Sequence, residues 1–187
     1  TARAAQKAIE TFLSSPRGIL VATEMALPYL RADVEHVIVA SLDALLALPD
    51  FRMSERVFSL LLALRSRALH TFLLQTRMAS QSVFSHALKG QISAFAEEEL
   101  AERKSFGYPP STTLIKISHS GARETVAKEM EKLTAQLTPY RPIVYTALGE
   151  TVRDKNTMHA LIKIPRERWP DPDLLRILRS LPPALAV

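Results

Sequence analysis

The chain has 187 residues, 47% of them hydrophobic and 23% charged, which describes an ordinary globular protein of one domain or two small ones, not a disordered one. Its formal charge of +5 and pI near 9.7 suit an anionic partner such as nucleic acid, although many basic domains bind none. The absence of cysteine excludes disulfides and any thiolate zinc site and fits a reducing, cytoplasmic setting. The longest apolar runs, such as Phe58 to Leu64, are too short to span a bilayer. No basic segment followed by an apolar core opens the sequence, so no signal peptide is expected. Thr1 at the start and an apolar run stopping at Val187 read as cuts from a longer polypeptide.

Residues 2–13 read as a helix, stopped by Ser14, Ser15, Pro16 and Gly18. Gly18 to Thr23 is a continuous apolar run, the mark of a strand buried on both faces. Residues 24–33 read as loop or short helix around Pro28. Val37 to Leu42 predicts a second buried strand, and Leu45 to Leu48 leads to the turn Pro49-Asp50. Asp50 is placed to cap a helix from Phe51 to about Leu64, with Phe51, Phe58, Leu61 and Leu62 on one side. Thr71 to Thr76 predicts a third strand, and Gln81 to Lys89 a helix ending at Gly90. Strands alternating with helices predict a parallel α/β sheet with crossovers.

The stretch FAEEELAERKSFGYPP, Phe95 to Pro110, divides the chain. Ile92, Phe95, Ala96, Leu100 and Phe106 fall at helical spacing, with acids early and bases late as the helix dipole favours. Gly107 suits the position just past a helix end, and Pro109-Pro110 cannot continue it. Beyond it, Thr112 to Ser118 predicts a strand, and Ala122 to Leu137 a helix with Val126, Met130, Leu133 and Leu137 on one face. Ile143 to Leu148 and Met158 to Pro165 predict strands around a basic turn of Arg153, Asp154, Lys155 and Asn156. Asp171 caps a last helix to Leu181, with Pro172 at its first position, and Ala184 to Val187 can open a final strand. The order βαββαβ describes a small split-βαβ, ferredoxin-like domain.

Only five glycines occur, and none forms a GxGxxG or a GxxxxGK loop, so no phosphate-cradling loop is present. His36, His70, His86, His119 and His159 lack ligand spacing, and no GxSxG or HExxH occurs. Asp43, Asp50 and Glu55 read as a strand-end turn, a helix cap and a salt-bridge partner, or as catalytic carboxylates. Arg65 and Arg67, at a helix end before a strand, either reach phosphates or satisfy helix carbonyls. The turn Arg153 to Asn156 is either a basic hairpin that touches phosphate or a solvated turn.

With these residues in place, the chain resembles the C-terminal part of the primosomal replication-restart DNA helicases, the primosomal protein N′ (PriA) family. ILVATEM (Ile19 to Met25) resembles the family's ILIGTQM, helicase motif V. DFRMSER (Asp50 to Arg56) resembles its DFRxxER, and LLQT (Leu73 to Thr76) the strand that follows motif VI. FAEEELAERKSFGYPP resembles FxEEELxERRxxxYPP almost position by position. Together these cover most of residues 8–110. The remainder matches weakly, at Leu148-Gly149 and at His159 to Pro165.

The resemblance implies a RecA-like second helicase lobe, a parallel sheet with flanking helices, over residues 1–108. It implies a small α+β C-terminal domain, similar to ribosomal protein S10, over residues 109–187. Departures from the family pattern are concentrated in motifs V and VI. Ala22, Glu24 and Pro28-Tyr29 replace the Gly, Gln and Lys-Gly of motif V. In motif VI, QxxGRAGR becomes Ala63 to His70, leaving Arg67 aligned with the first arginine only. Losing an arginine finger costs phosphoryl transfer on the order of a thousandfold. The family's cysteine-rich zinc module and its phosphate loop are absent, so no cofactor is expected in this chain, whereas the intact family uses ATP and Mg.

The expected function is therefore that of a DNA-binding, helicase-derived piece that is not an ATPase by itself. The implied DNA contacts are Thr23, Met25, Arg65, Arg153 and Lys155, with Arg67 as a degenerate arginine finger or a further DNA contact. Expected partners are single-stranded or forked DNA, the single-stranded DNA-binding protein and primosome proteins. Two alternatives stand beside this reading: a decayed lobe kept as a protein-interaction scaffold, and a lobe of an active helicase when joined to its first lobe.

Overall fold

The computed structural model describes residues 2–40, 42–147 and 156–187. They form two units, residues 1–99 and 100–187, each with its own sheet and core.

The first unit begins with α1 (Ala2–Leu13) and contains β1 (Val34–Ala40), α2 (Asp43–Leu46), α3 (Met53–Arg65), β2 (Ala68–Gln75) and α4 (Ser82–Lys89). β1 and β2 pair in parallel through the α3 crossover, with Val37 opposite Phe72 and Val39 opposite Leu74. Alternation turns these residues toward Val57, Phe58 and Leu61 of α3 and Val83, Phe84 and Ala87 of α4, which form the core. α4 stops where expected, because Gly90 takes a left-handed φ of 70° that other residues adopt at a cost.

The same alternation leaves the other face bare. Ile38 and Leu73, paired across the ladder, are 68% and 53% exposed. The apolar run of β1 predicted burial on both faces, but the packed helices α3 and α4 cover only one. A second correction concerns Gly18 to Thr23, which forms no strand. It is irregular, and Ile19 and Val21 are 90% and 92% exposed. A continuous apolar run becomes a buried strand only with a ladder partner and cover, and the run has neither. The helix after Pro49 also begins later than expected, at Met53. Asp50 does not cap it; its carboxylate accepts from the Arg52 amide at 2.9 Å, closing a tight turn before the helix.

α5 (Ile92–Ser105) leads from the first unit into the second. Of its predicted apolar stripe only Phe95 is buried, stacked on Phe58 with ring centroids 3.9 Å apart. Ile92, Leu100 and Phe106 are 60%, 48% and 61% exposed. Gly107 terminates the helix with φ 61°, and the Tyr108 amide reaches back to the Arg103 carbonyl at 2.7 Å.

The second unit contains β3 (Thr112–Gly121), α6 (Arg123–Gln136), β4 (Ile143–Thr146), β5 (Asn156–Pro165) and α7 (Pro172–Ser180). β5 lies between β3 and β4 and is antiparallel to both. The expected final strand is a single antiparallel bridge between Ser118 and Ala186 on the other side of β3. Val126, Met130, Leu133 and Leu137 are almost fully buried, as their spacing predicts. They pack with Leu174 of α7 onto Ile115, Ile117, Ala160, Ile162 and Ile164 of the sheet. α7 starts as expected, with the Asp171 carboxylate accepting from the amides of Asp173 and Leu174 and Pro172 at the first turn.

The observed architecture is thus α/β, a small parallel sheet followed by a separate antiparallel one. No described helix is long and apolar enough to cross a membrane.

Candidate nucleic-acid interface

Because β1 and β2 are parallel, each edge of their sheet collects one kind of strand end. The amino ends carry two of the motif VI residues. The Val34 amide bonds to the Arg67 carbonyl at 2.8 Å, and the Arg67 guanidinium lies 3.6 Å from Asp33 and 3.4 Å from the Arg31 carbonyl. Open α/β sheets take small ligands outside the carboxyl ends of their strands, so Arg67 stands at the opposite edge. Arg65 ends α3 and is exposed, and its guanidinium approaches Gly90 so closely that a Cβ there would meet it at 3.0 Å. A shallow pocket of about 590 Å³ opens beside it, lined by Ser66, His70, Thr71 and Ile92 among others.

At the carboxyl ends sits Asp43, which the sequence offered as a strand-end turn or a catalytic carboxylate. Asp43, at the start of α2, accepts hydrogen bonds from the Thr76 hydroxyl and the Arg77 amide. The Thr76 hydroxyl bond, then the Arg77 amide, holds this carboxyl below its ordinary range. The Thr76 oxygen in turn accepts from the Met78 amide at 2.9 Å. Asp43 therefore ties two strand ends together, which supports its structural role. The only sequence signal was its position right after a predicted strand.

Thr23 precedes a 3-10 turn over Glu24–Ala26 that contains Met25, and Met25 is 76% exposed. Neither bonds to Arg65 or Arg67 among the described residues. Arg153 and Lys155 lie outside the described residues. No three described His, Asp or Glu side chains converge as a metal site would require.

The second unit holds polar groups the sequence did not single out. His159 lies in the middle of β5, its Nδ1 2.9 Å from the Ser118 hydroxyl and its ring 5.3 Å from that of Tyr145. On the helix side of the sheet, buried His119 has Nδ1 3.1 Å from the Ala184 carbonyl, fastening the C-terminal segment beside β3. Lys163 donates to the Phe106 carbonyl at 2.8 Å and lies 4.1 Å above the Tyr108 ring, so it holds the end of α5.

The two units differ in charge. Residues 1–99 contain ten Lys or Arg and ten Asp or Glu, and residues 100–187 contain fourteen and nine, so the whole net charge of +5 belongs to the second unit.

No protein-family model matches the chain. It is 35% identical over 114 residues to the replication restart protein PriA of Chlamydia muridarum, covering 58% of this chain and 15% of that protein. The PriA of Borreliella burgdorferi is 30% identical over 127 residues, 65% of this chain and 19% of that protein. For the PriA of Treponema pallidum the match extends to 155 residues at 29% identity, 77% of this chain and 23% of that protein. These matches support a C-terminal part of the PriA family of replication restart proteins. It spans between 15% and 23% of the length of these relatives.

Proposed function

We propose that this chain is the DNA-binding C-terminal portion of a PriA-type replication-restart helicase, without ATPase activity of its own. The observation that carries the reading is the charge partition: a neutral first unit joined to a second unit that bears the entire net charge of +5. A basic module of this kind supplies sequence-independent affinity for phosphates, the form of binding that DNA motors and fork-associated proteins use.

In this reading residues 1–99 derive from a RecA-like second helicase lobe, which the parallel β1–α3–β2 crossover supports. The second unit is ferredoxin-like and similar to ribosomal protein S10. Its order of bridge, β3, β5, β4, antiparallel throughout, is that of a split βαβ with a closing strand. Thr23, Met25, Arg65, Arg153 and Lys155 are the assigned DNA contacts. The residues present do not fit ATP and Mg: the sequence has no phosphate loop, and Arg67 is engaged with Asp33 and Arg31. No catalytic step is assigned to the chain.

Fluorescence anisotropy with labelled single-stranded and forked DNA tests this. Binding that weakens as salt is added is expected, and no binding at low salt contradicts it.

A further inference from the structure

The sheet of the second unit has a face that no described helix of that unit covers. Ile115, Ile117, Ala160, Ile162 and Ile164 point toward α6 and α7, so alternate residues point to the other side. On that outer side the register aligns Ser118, His159 and Tyr145 in one row, and Lys116, Leu161 and Ile143 in the next.

Three properties of this surface are those of a nucleic-acid platform. First, the strands TTLIKISHSG, IVYT and NTMHALIKIP contain no carboxylate, in a unit whose acids all lie elsewhere. Second, Lys116 is exposed and has no partner among the described residues, whereas Lys163 is already engaged at the end of α5. Third, Tyr145 is 41% exposed, and its ring rests against an imidazole that the Ser118 hydroxyl holds in place. An aromatic ring fixed on a sheet, with a cation two strands away, suits unstacked bases rather than a duplex. Duplex bases are stacked inside the helix, while a single strand can lay a base on the ring and a phosphate beside the lysine. Two strand spacings and two residues along the strand separate Tyr145 from Lys116, about 12 Å.

We infer that the outer face of the β3–β5–β4 sheet binds single-stranded DNA, with Tyr145 stacking a base and Lys116 contacting a phosphate. This rests on the DNA-binding reading above and assigns it to a surface. His159 is buried beneath this surface and bonded to Ser118, so it backs the Tyr145 ring, and Leu161 lies between Lys116 and Ile143 in the next row.

The test uses the whole chain and a labelled oligothymidine at low salt. Tyr145→Ala should weaken binding roughly five- to hundredfold, the loss of one stacked base, while Tyr145→Phe stays within about twofold. Lys116→Ala should reduce the salt slope by about 0.7, one phosphate contact on a single strand. Lys128→Ala, exposed on α6, should change neither. Tyr145 and Lys116 are both exposed, and an unchanged circular dichroism spectrum confirms that the variants fold. If the parent chain binds and both Tyr145→Ala and Lys116→Ala bind as it does, this face is overturned while DNA binding stands. Equal affinity for a duplex of the same length also overturns it. If the parent chain does not bind at all, the DNA-binding reading and this inference fail together.

Discussion

Arg67, the one motif VI arginine that aligns, has its guanidinium 3.6 Å from the carboxylate of Asp33. Both side chains are partly exposed, so the pair contributes at most about 1 kcal/mol to stability. Asp33→Ala and Arg67→Ala should therefore lower the stability of the chain by no more than about that amount, read by chemical denaturation. In a longer protein that places this segment behind a phosphate-loop lobe, Arg67→Ala should leave ATP turnover within about twofold. A loss on the order of a thousandfold would show that the arginine leaves Asp33 to act on the transferring phosphate.

The stack of Phe95 on Phe58 joins the first half of α5 to the core of the first unit. Both rings are buried, so Phe95→Ala should destabilise that unit by about 3–5 kcal/mol. Hydrogen exchange resolved by segment should show faster exchange in α3 and α4, with β3 and α6 unchanged. Ile92→Ala, at an exposed position of the same helix, should be nearly neutral.

Asp171 links two parts of the second unit, capping α7 and accepting the Tyr140 hydroxyl at 2.9 Å. The Leu174 amide, then the Tyr140 hydroxyl, lowers the folded-state pKa of this carboxyl below its usual range. A depressed folded-state pKa contributes stability that is present above the unfolded value, near 3.8, and is lost as pH falls through the folded value. Thermal melts should therefore show the second unit losing stability below about pH 4. Asp171→Asn keeps a capping oxygen and should flatten this acid limb. Asp171→Ala should lower the midpoint at neutral pH by several degrees, because the cap is lost outright.

Lys163→Met keeps the aliphatic stem but removes the donor to the Phe106 carbonyl and the cation above Tyr108. A cost of about 1–2 kcal/mol is expected, with faster amide exchange confined to the end of α5 and the turn at Gly107.

What the sequence revealed of this fold was what is local. The Val126, Met130, Leu133 and Leu137 stripe, the glycine ends at Gly90 and Gly107 and the Asp171-Pro172 start all depend on neighbours within a turn or two. The run Gly18 to Thr23 misled because a strand is defined by a partner elsewhere in the chain, and its own residues cannot supply one. The Arg67–Asp33 pair and the Asp43–Thr76 bond connect residues more than thirty positions apart, and no spacing rule finds them. Motif VI was visible as an eroded pattern, but not the contacts its arginine makes. The row of Tyr145, His159 and Ser118 was equally hidden, since it exists only once β5 lies between β4 and β3. The uneven charge was present in the composition throughout, and acquires meaning only with the boundary between the units.

The salt dependence of DNA affinity tests the central claim most directly. With the basic unit neutralising a few phosphates of a single strand, log K should fall linearly with log salt, each contact adding about 0.7 to the slope. A slope of about −2 or steeper is the predicted result. No detectable binding at low salt, or an affinity that does not change with salt, would contradict it.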